Sequence, residues 1–207
     1  MFITLEGVEG SGKTTIATTI HKKLNDAGIT AIYTREPGGN FIAEQIRDVI
    51  LNQDNKNMRE KTEVLLYAAA RHQHLQDVII PALNEGKIVI CDRFVDSSIA
   101  YQGFARGLDP KIVSDVNVFA TNGLSPDLTL FIDVKPEIGL NRITNNCTRE
   151  VNRLDLESLE FHNKVYEGYL YLLENNKRRI VRINGQQTIN QVEMDVYNEI
   201  LSRLGSC

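Results

Sequence analysis

The side chains best suited to chemistry stand almost at the start of the chain. Gly7, Val8, Glu9, Gly10, Ser11, Gly12, Lys13 and Thr14 fit the spacing G-x-x-x-x-G-K-[ST], a loop that wraps phosphates. The glycines let the backbone curl until successive N–H groups point into one concavity, which is an anion site. Lys13 carries its charge on a stem long enough to reach the outer phosphates of a nucleotide, and the Thr14 hydroxyl is a hard oxygen suited to Mg²⁺. Thr15 extends the run of N–H groups into the first turn of a helix, whose dipole faces the anion. By itself the loop says only that a nucleoside triphosphate or similar polyphosphate binds. Further along, Asp92 and Arg93 follow the apolar run Lys87–Cys91. A carboxylate at the end of a buried strand can approach a metal ion beside such a loop. A lone Asp there would more often be a solvated acid; the loop upstream and the adjoining Arg93 favour the functional reading.

These groups need a frame. Phe2–Leu5 reads as a buried strand, and Ile16, Ile20 and Leu24 recur as a helix stripe over about Lys13–Ala27, stopped by Gly28. Thr30–Thr34 is a second strand, Arg35–Gly39 a turn, and Phe41–Leu51 a helix. After a polar break over Asn52–Asn57, a long helix is expected from about Arg59 to Ile80, kinked or restarted at Pro81. Lys87–Cys91 is a third strand, Ser97–Gly103 is helical, and Pro110–Ala120 is a helix with Asp109 as N-cap. Strand Leu128–Ile132 ends at Asp133; helix Pro136–Asn146 follows, then a polar, basic stretch over Thr144–Arg153. Helix Leu156–Glu174, strand Ile180–Ile183 and helix Ile189–Leu204 complete the chain. Short apolar strands alternating with helices imply an α/β fold of three layers, a five-stranded parallel sheet covered on both faces. The ligand is then expected at the carboxyl ends of the strands. No repeat, low-complexity tract or linker divides the sequence, so residues 1–207 are expected to form one domain.

Bulk composition narrows the function. A hydrophobic content of 42% and a charged content of 24% are globular values. A net charge of −4 argues against a nucleic-acid polymer as partner, because phosphate backbones select basic faces. Cys91, Cys147 and Cys207 form no CxxC pair, and the four histidines show no ligand spacing. No apolar run approaches the length of a membrane span, and the chain opens on a strand with no room for a signal peptide. The expectation is a cytoplasmic protein without membrane contact.

The segment Asp92-Arg-Phe-Val-Asp-Ser-Ser-Ile-Ala-Tyr-Gln102 resembles the signature D-R-[FY]-x-x-S-[ST]-x-A-Y-Q of thymidylate kinases, and Arg35-Glu-Pro-Gly-Gly39 looks like that family's substrate loop. The phosphate loop, the Arg71 region and the Arg149–Arg153 segment fall in matching order, so the resemblance spans essentially the whole chain. It implies the P-loop nucleoside monophosphate kinase fold. It also implies that Arg93, Arg35 and Arg47 hold the acceptor phosphate, since guanidinium forks match phosphate oxygens. Tyr67 would stack on thymine, Arg71 and Gln102 would bond the base edge with Ser98 assisting, Tyr101 would crowd the ribose 2′ position, and Glu36 would lie near the deoxyribose. Taken singly, Tyr67 would be a core residue, and Arg47 and Arg71 solvated helix residues. Glu9 inside the loop, with arginines downstream, resembles the bacterial group, in which a mobile lid, here about 144–155, supplies the transition-state arginine. Arg153 is the first choice, Arg149 the second, and Arg142 a further candidate. Homodimers are typical of the family. Adenine contacts are expected near Arg142 and the Asn184–Gln187 turn.

The reaction so implied moves the γ-phosphoryl group of Mg·ATP to dTMP, giving ADP and dTDP, with Lys13 on the phosphates and Thr14 and Asp92 organising Mg²⁺. Two rivals stand beside it. One is another nucleoside monophosphate or deoxynucleoside kinase on the same scaffold, against which the Ser97–Gln102 run argues. The other is a non-catalytic ATP-binding switch; a GTPase form of it is disfavoured because no Asn-Lys-x-Asp occurs.

Overall fold

The apolar runs bounded by turn residues do become strands: β1 (Phe2–Glu6), β2 (Ala31–Arg35), β3 (Ile88–Asp92), β4 (Leu128–Asp133) and β5 (Ile180–Asn184). They appear in a computed structural model that describes residues 1–145 and 152–205. The strands form one parallel sheet in the order β2-β3-β1-β4-β5. The three central strands are buried along their whole length, whereas the edge strands β2 and β5 are partly exposed. Alternation sorts their side chains into two cores. Ile3, Leu5, Ile88 and Ile90 pack with Ile16, Ile20, Val165 and Val196. Phe2, Val89 and Cys91 face the other way, onto Leu75, Ile79 and Phe94. Register pairs Leu5 and Arg35 with Asp92, which aligns the carboxyl ends of β1, β2 and β3 along one rim.

Helices connect the strands: α1 (Lys13–Asp26), α2 (Phe41–Leu51), α3 (Glu60–His74), α4 (Ile80–Asn84), α5 (Val95–Ser98), α6 (Pro110–Thr121), α7 (Pro136–Thr144), α8 (Leu159–Asn175) and α9 (Ile189–Leu204). Asp109 caps α6 as expected, accepting from Lys111 N at 2.8 Å. Three departures from the sequence reading have local causes. The long helix expected to Ile80 widens into a π-helical turn over Leu75–Ile79 before α4, which places Pro81 in the first turn of α4, where its missing N–H is harmless. The helix expected over Ser97–Gly103 is α5 continued by a π-helical segment, Ile99–Ala105. Such bulges re-aim side chains at functional sites, and here Tyr101 and Gln102 end up buried. Lastly, α8 begins at Leu159 rather than Leu156. A short 3₁₀ turn, Arg153–Leu156, precedes it, held by a reciprocal cap between Asn152 and Asp155, and Ser158 caps α8 itself. Among the described residues no helix is long and apolar enough to cross a membrane.

Candidate active site

The phosphate loop joins β1 to α1 at the rim where three strands end. Gly12 has φ +92°, a left-handed conformation that turns the chain into α1 without a Cβ penalty. Lys13 folds back over its own loop, donating from Nζ to Gly7 O at 3.0 Å, Val8 O at 2.8 Å and Ser11 Oγ at 3.1 Å. Burial, followed by the nearby Arg93 charge, lowers its pKa to about 8. The loop also leans on α7: a Cβ on Gly139 would lie 2.1 Å from Glu9 O, closer than any real contact allows. Gly139 is therefore a packing requirement of the loop. Nothing in its surroundings in the sequence marked it, because its partner lies far away along the chain.

Beside the loop, Thr14 Oγ1 donates to Asp92 Oδ2 at 2.5 Å. A hydroxyl and one carboxylate at the mouth of an anion cradle are the donors Mg²⁺ accepts when phosphates and waters complete its shell, so the pair fits that ion.

Arg93 follows Asp92 with φ +72°, a conformation rare for a side chain with a Cβ, and one that functional positions tolerate. Its guanidinium is held over the loop. Nη1 donates to Gly7 O, Ser97 Oγ and Tyr169 Oη, and Nη2 to Glu9 Oε1 at 2.7 Å and Tyr101 Oη at 3.1 Å. Burial works against its charge, but Glu9 foremost holds its pKa well above the ordinary arginine value. Glu9 thus pairs with the guanidinium that the sequence reading placed on the acceptor phosphate.

The loop forms one wall of a cleft enclosing about 310 Å³. Arg35, Glu36, Arg47, Tyr67, Arg142, Asn152 and Leu154 line the rest. Arg35 makes two bonds to Glu44 at 3.0 Å, and Arg47 Nη1 donates to Pro37 O at 2.8 Å. A narrower recess continues inward, lined by Glu36, Tyr67, Arg71, Arg93, Ser98, Tyr101 and Gln102. The sequence therefore named groups that the fold brings to one place from β2, α3, β3, α5 and the π-helical segment.

Within the recess most polar groups are already paired. Arg71 donates from Nε to Glu36 Oε2 at 2.6 Å, from Nη1 to Ser98 Oγ at 2.9 Å and to Asn117 Oδ1, and from Nη2 to Phe94 O at 3.0 Å. These bonds use all but one of the guanidinium's N–H donors. Glu36 Oε1 pairs with His74 Nδ1 at 3.0 Å, and His74 Nε2 with Thr34 Oγ1 at 2.6 Å. Cys91 Sγ, a Glu36 carboxylate oxygen and a His74 ring nitrogen all lie within 4.8 Å of one another, a grouping the sequence spacing concealed, and Cys91 Sγ donates to Arg93 O. Gln102 donates from Nε2 to Glu63 Oε1 at 2.8 Å, while its buried Oε1 has no partner.

The lid arginines are distributed differently from expectation. Arg153 does not line the cleft. It is buried, donating from Nε to Ile50 O at 2.9 Å and from Nη2 to Glu63 Oε2 at 2.6 Å. The Asn152–Asp155 cap fixes the turn that carries it, and the buried carboxylate draws it inward. Placing Arg153 first at the phosphates is corrected on that ground. Arg149 lies outside the described residues. Arg142 lines the cleft and donates from Nη2 to Gly185 O at 3.1 Å, which joins it to the turn expected near adenine. Among the residues the sequence reading missed are Glu63, Asn117, Leu154 and Gly139; of these only Leu154, within the N-x-x-D cap, carried any local signal.

A sequence model of the thymidylate kinase family matches residues 5–196. A thymidylate kinase from Clostridium novyi is 59% identical over 195 residues, covering 94% of this chain and 95% of that protein. The Oceanobacillus iheyensis thymidylate kinase is 52% identical over 204 residues, covering 99% and 91%. The crystal structure of thymidylate kinase from Ehrlichia chaffeensis superimposes with a TM-score of 0.78 at 31% identity, covering 97% of this chain and 98% of that one.

Proposed function

The chain belongs to the thymidylate kinase family, and we propose how its own side chains divide the work of that phosphotransferase. It transfers the γ-phosphoryl group of ATP to dTMP, giving ADP and dTDP. On binding ATP, Lys13 exchanges the carbonyls of Gly7 and Val8 for the outer phosphates, while the N–H groups from Gly7 to Thr15 cradle them. Thr14 and Asp92 would hold Mg²⁺, which supplies charge neutralisation across the phosphates when bound. Arg93, Arg35 and Arg47 receive the acceptor phosphate as bidentate donors. No general base is required, because a nucleotide monophosphate has a second pKa of about 6 and is mostly dianionic at neutral pH. Positioning and electrostatics can then carry the reaction. Arg142 on the cleft wall can serve the transferring group, and Arg149 stays a candidate on the family resemblance alone; Arg153 is committed to Glu63.

The observation that carries the substrate assignment is the pattern left open in the recess. Arg71 has one spare N–H donor and Gln102 one spare carbonyl acceptor. A base edge offering a carbonyl beside an N–H, as thymine does, satisfies both; cytosine presents the reverse. Tyr67 offers its ring face to the base, Ser98 and Glu36 steady Arg71, and Tyr101, tied to Glu9 and Arg93, crowds a ribose 2′ hydroxyl. ADP formation from Mg·ATP against dTMP, dUMP, dCMP, dGMP, AMP and UMP tests this, with dTMP expected to be preferred. Preference for another acceptor would keep the kinase and discard the pocket. Silence with every acceptor despite ATP binding would favour the non-catalytic switch.

Two coarser features complete the proposal. The packed helices α2, α3 and α6 expose Phe41, Ile42, Val49, Leu65, Val118 and Phe119, apolar surface that a second copy would cover in a homodimer. Sedimentation of a monomer at micromolar concentration would overturn that. Cytoplasmic operation is supported by the free, buried thiol of Cys91.

A further inference from the structure

We infer that Glu63 is a specificity-determining positioning residue: it fixes which end of the Gln102 amide faces the nucleotide base. The inference rests on the proposed reading of the base edge by Gln102. A glutamine amide has a donor end and an acceptor end of nearly the same shape, and a half-turn about its last bond exchanges them. Left to itself, Gln102 would offer a carbonyl to thymine and an NH₂ group to cytosine. Its discrimination would then be small. An ionised carboxylate only accepts hydrogen bonds, so a carboxylate at one end of the amide selects the NH₂ group there and leaves the carbonyl for the ligand.

Glu63 meets that requirement. It sits within α3 with 1% of its surface exposed, and its Oε1 accepts from Gln102 Nε2 at 2.8 Å. The carboxylate is kept charged by two arginines. Arg153 Nη2 lies 2.6 Å from Oε2, and Arg106 contributes Nε at 3.3 Å to Oε1 and Nη2 at 3.3 Å to Oε2. Burial alone would raise its pKa, yet Arg106, the Gln102 bond and Arg153 together hold it below the ordinary carboxylate value. Arg106 is in turn fixed by Glu157 at 2.6 Å and by the face of Phe161. Opposite Glu63, the Gln102 Oε1 is buried and without a partner, in a side chain that lines the recess. A buried carbonyl left unpaired is costly unless a ligand satisfies it. The polarity of the amide is therefore set before any nucleotide arrives, by a residue that need not touch it.

The chain with Glu63→Gln tests this, assayed at saturating Mg·ATP with dTMP and with dCMP. A glutamine at 63 presents either end to Gln102 and releases the constraint. The expected result is a KM for dTMP raised about tenfold, with kcat and the KM for ATP little changed. The preference for dTMP over dCMP should fall at least about tenfold. A cooperatively melting variant that keeps the full preference would overturn the inference. The underlying reading is checked separately on the unaltered enzyme with N3-methyl-dTMP: acceptance equal to that of dTMP would remove the base contact itself and the inference with it. If Glu63→Gln does not fold, the side-chain amide protons of Gln102 in the unaltered chain decide. They should be protected from exchange before dTMP is added; protection appearing only with dTMP would mean that the NH₂ end faces the ligand.

Discussion

The two ends of the site solve the same problem differently. At the phosphate end the charged groups are bonded to partners that a ligand must displace: Lys13 to the carbonyls of its own loop, Arg93 to Glu9, Arg35 to Glu44. In the recess the charges are bonded to partners that stay. Arg71 is locked by Glu36, Ser98, Asn117 and Phe94, and one donor of Arg71 and one acceptor of Gln102 remain open. The phosphate end can rearrange because water and the bound anion substitute for what is given up. The recess holds its arrangement, because Arg71 and the Glu36, Ser98 and Asn117 side chains that bond it are all buried. One end is therefore built for charge, the other for recognition. Changes in them should separate activity from stability.

The largest effect is expected at Lys13. Lys13→Ala should reduce kcat by at least about a thousandfold, with a melting temperature close to that of the unaltered chain. Its ammonium is buried against carbonyls at an electrostatic cost, so its removal does not strip the fold of a net gain. A large drop in melting temperature would mean that the phosphate end is as rigidly prepaired as the recess, and the contrast would fail. Arg71→Ala should behave in the opposite way. It leaves Glu36 and Asn117 buried without their partner, which costs about 3–5 kcal/mol of stability and weakens dTMP binding far more than ATP binding. Thermal melting with steady-state kinetics on both substrates reads this pair. An Arg71→Ala chain that melts normally would show that the recess is not load-sharing.

The same division explains what could be read from the chain. The phosphate end was legible because its geometry is local: Gly7 to Thr14 are consecutive, and the conformation each must adopt constrains its type. The sheet was legible for a related reason, since strands buried on both faces leave unbroken apolar runs such as Ile88–Cys91. The members of the recess were visible only through their resemblance to a family, and their partners were not visible at all. Glu63 lies in α3 among Thr62 and Val64, with no feature that distinguishes a buried hub from a solvated helix acid. Arg153 was misassigned because a basic stretch reads as a mobile surface, whereas the direction of one side chain depends on a carboxylate 90 residues away. The π-helical segments escaped because they insert a residue without changing composition.

The smallest effect, and the one that sharpens the contrast most, is with pH. Burial and the nearby Arg93 charge lower the Lys13 pKa to about 8, and a polyphosphate restores its charge by raising that value. Bound ATP therefore holds a proton that the free protein loses above pH 8. By linkage, ATP affinity should fall by up to about tenfold per unit as pH rises above 8. The stability of the free chain runs the other way. An unfolded lysine keeps its proton up to its ordinary value, so the unfolded state holds more protons between the two values and this residue's contribution to stability rises with pH there. Glu63 in the recess does not follow this slope, since Arg106, the Gln102 bond and Arg153 hold it below the ordinary carboxylate value. Thymidine, which carries the base without a phosphate, should then show no comparable loss of affinity between pH 8 and 9. Calorimetry with each ligand across that range measures both slopes. A thymidine affinity that follows the ATP curve would show that the two ends titrate as one unit.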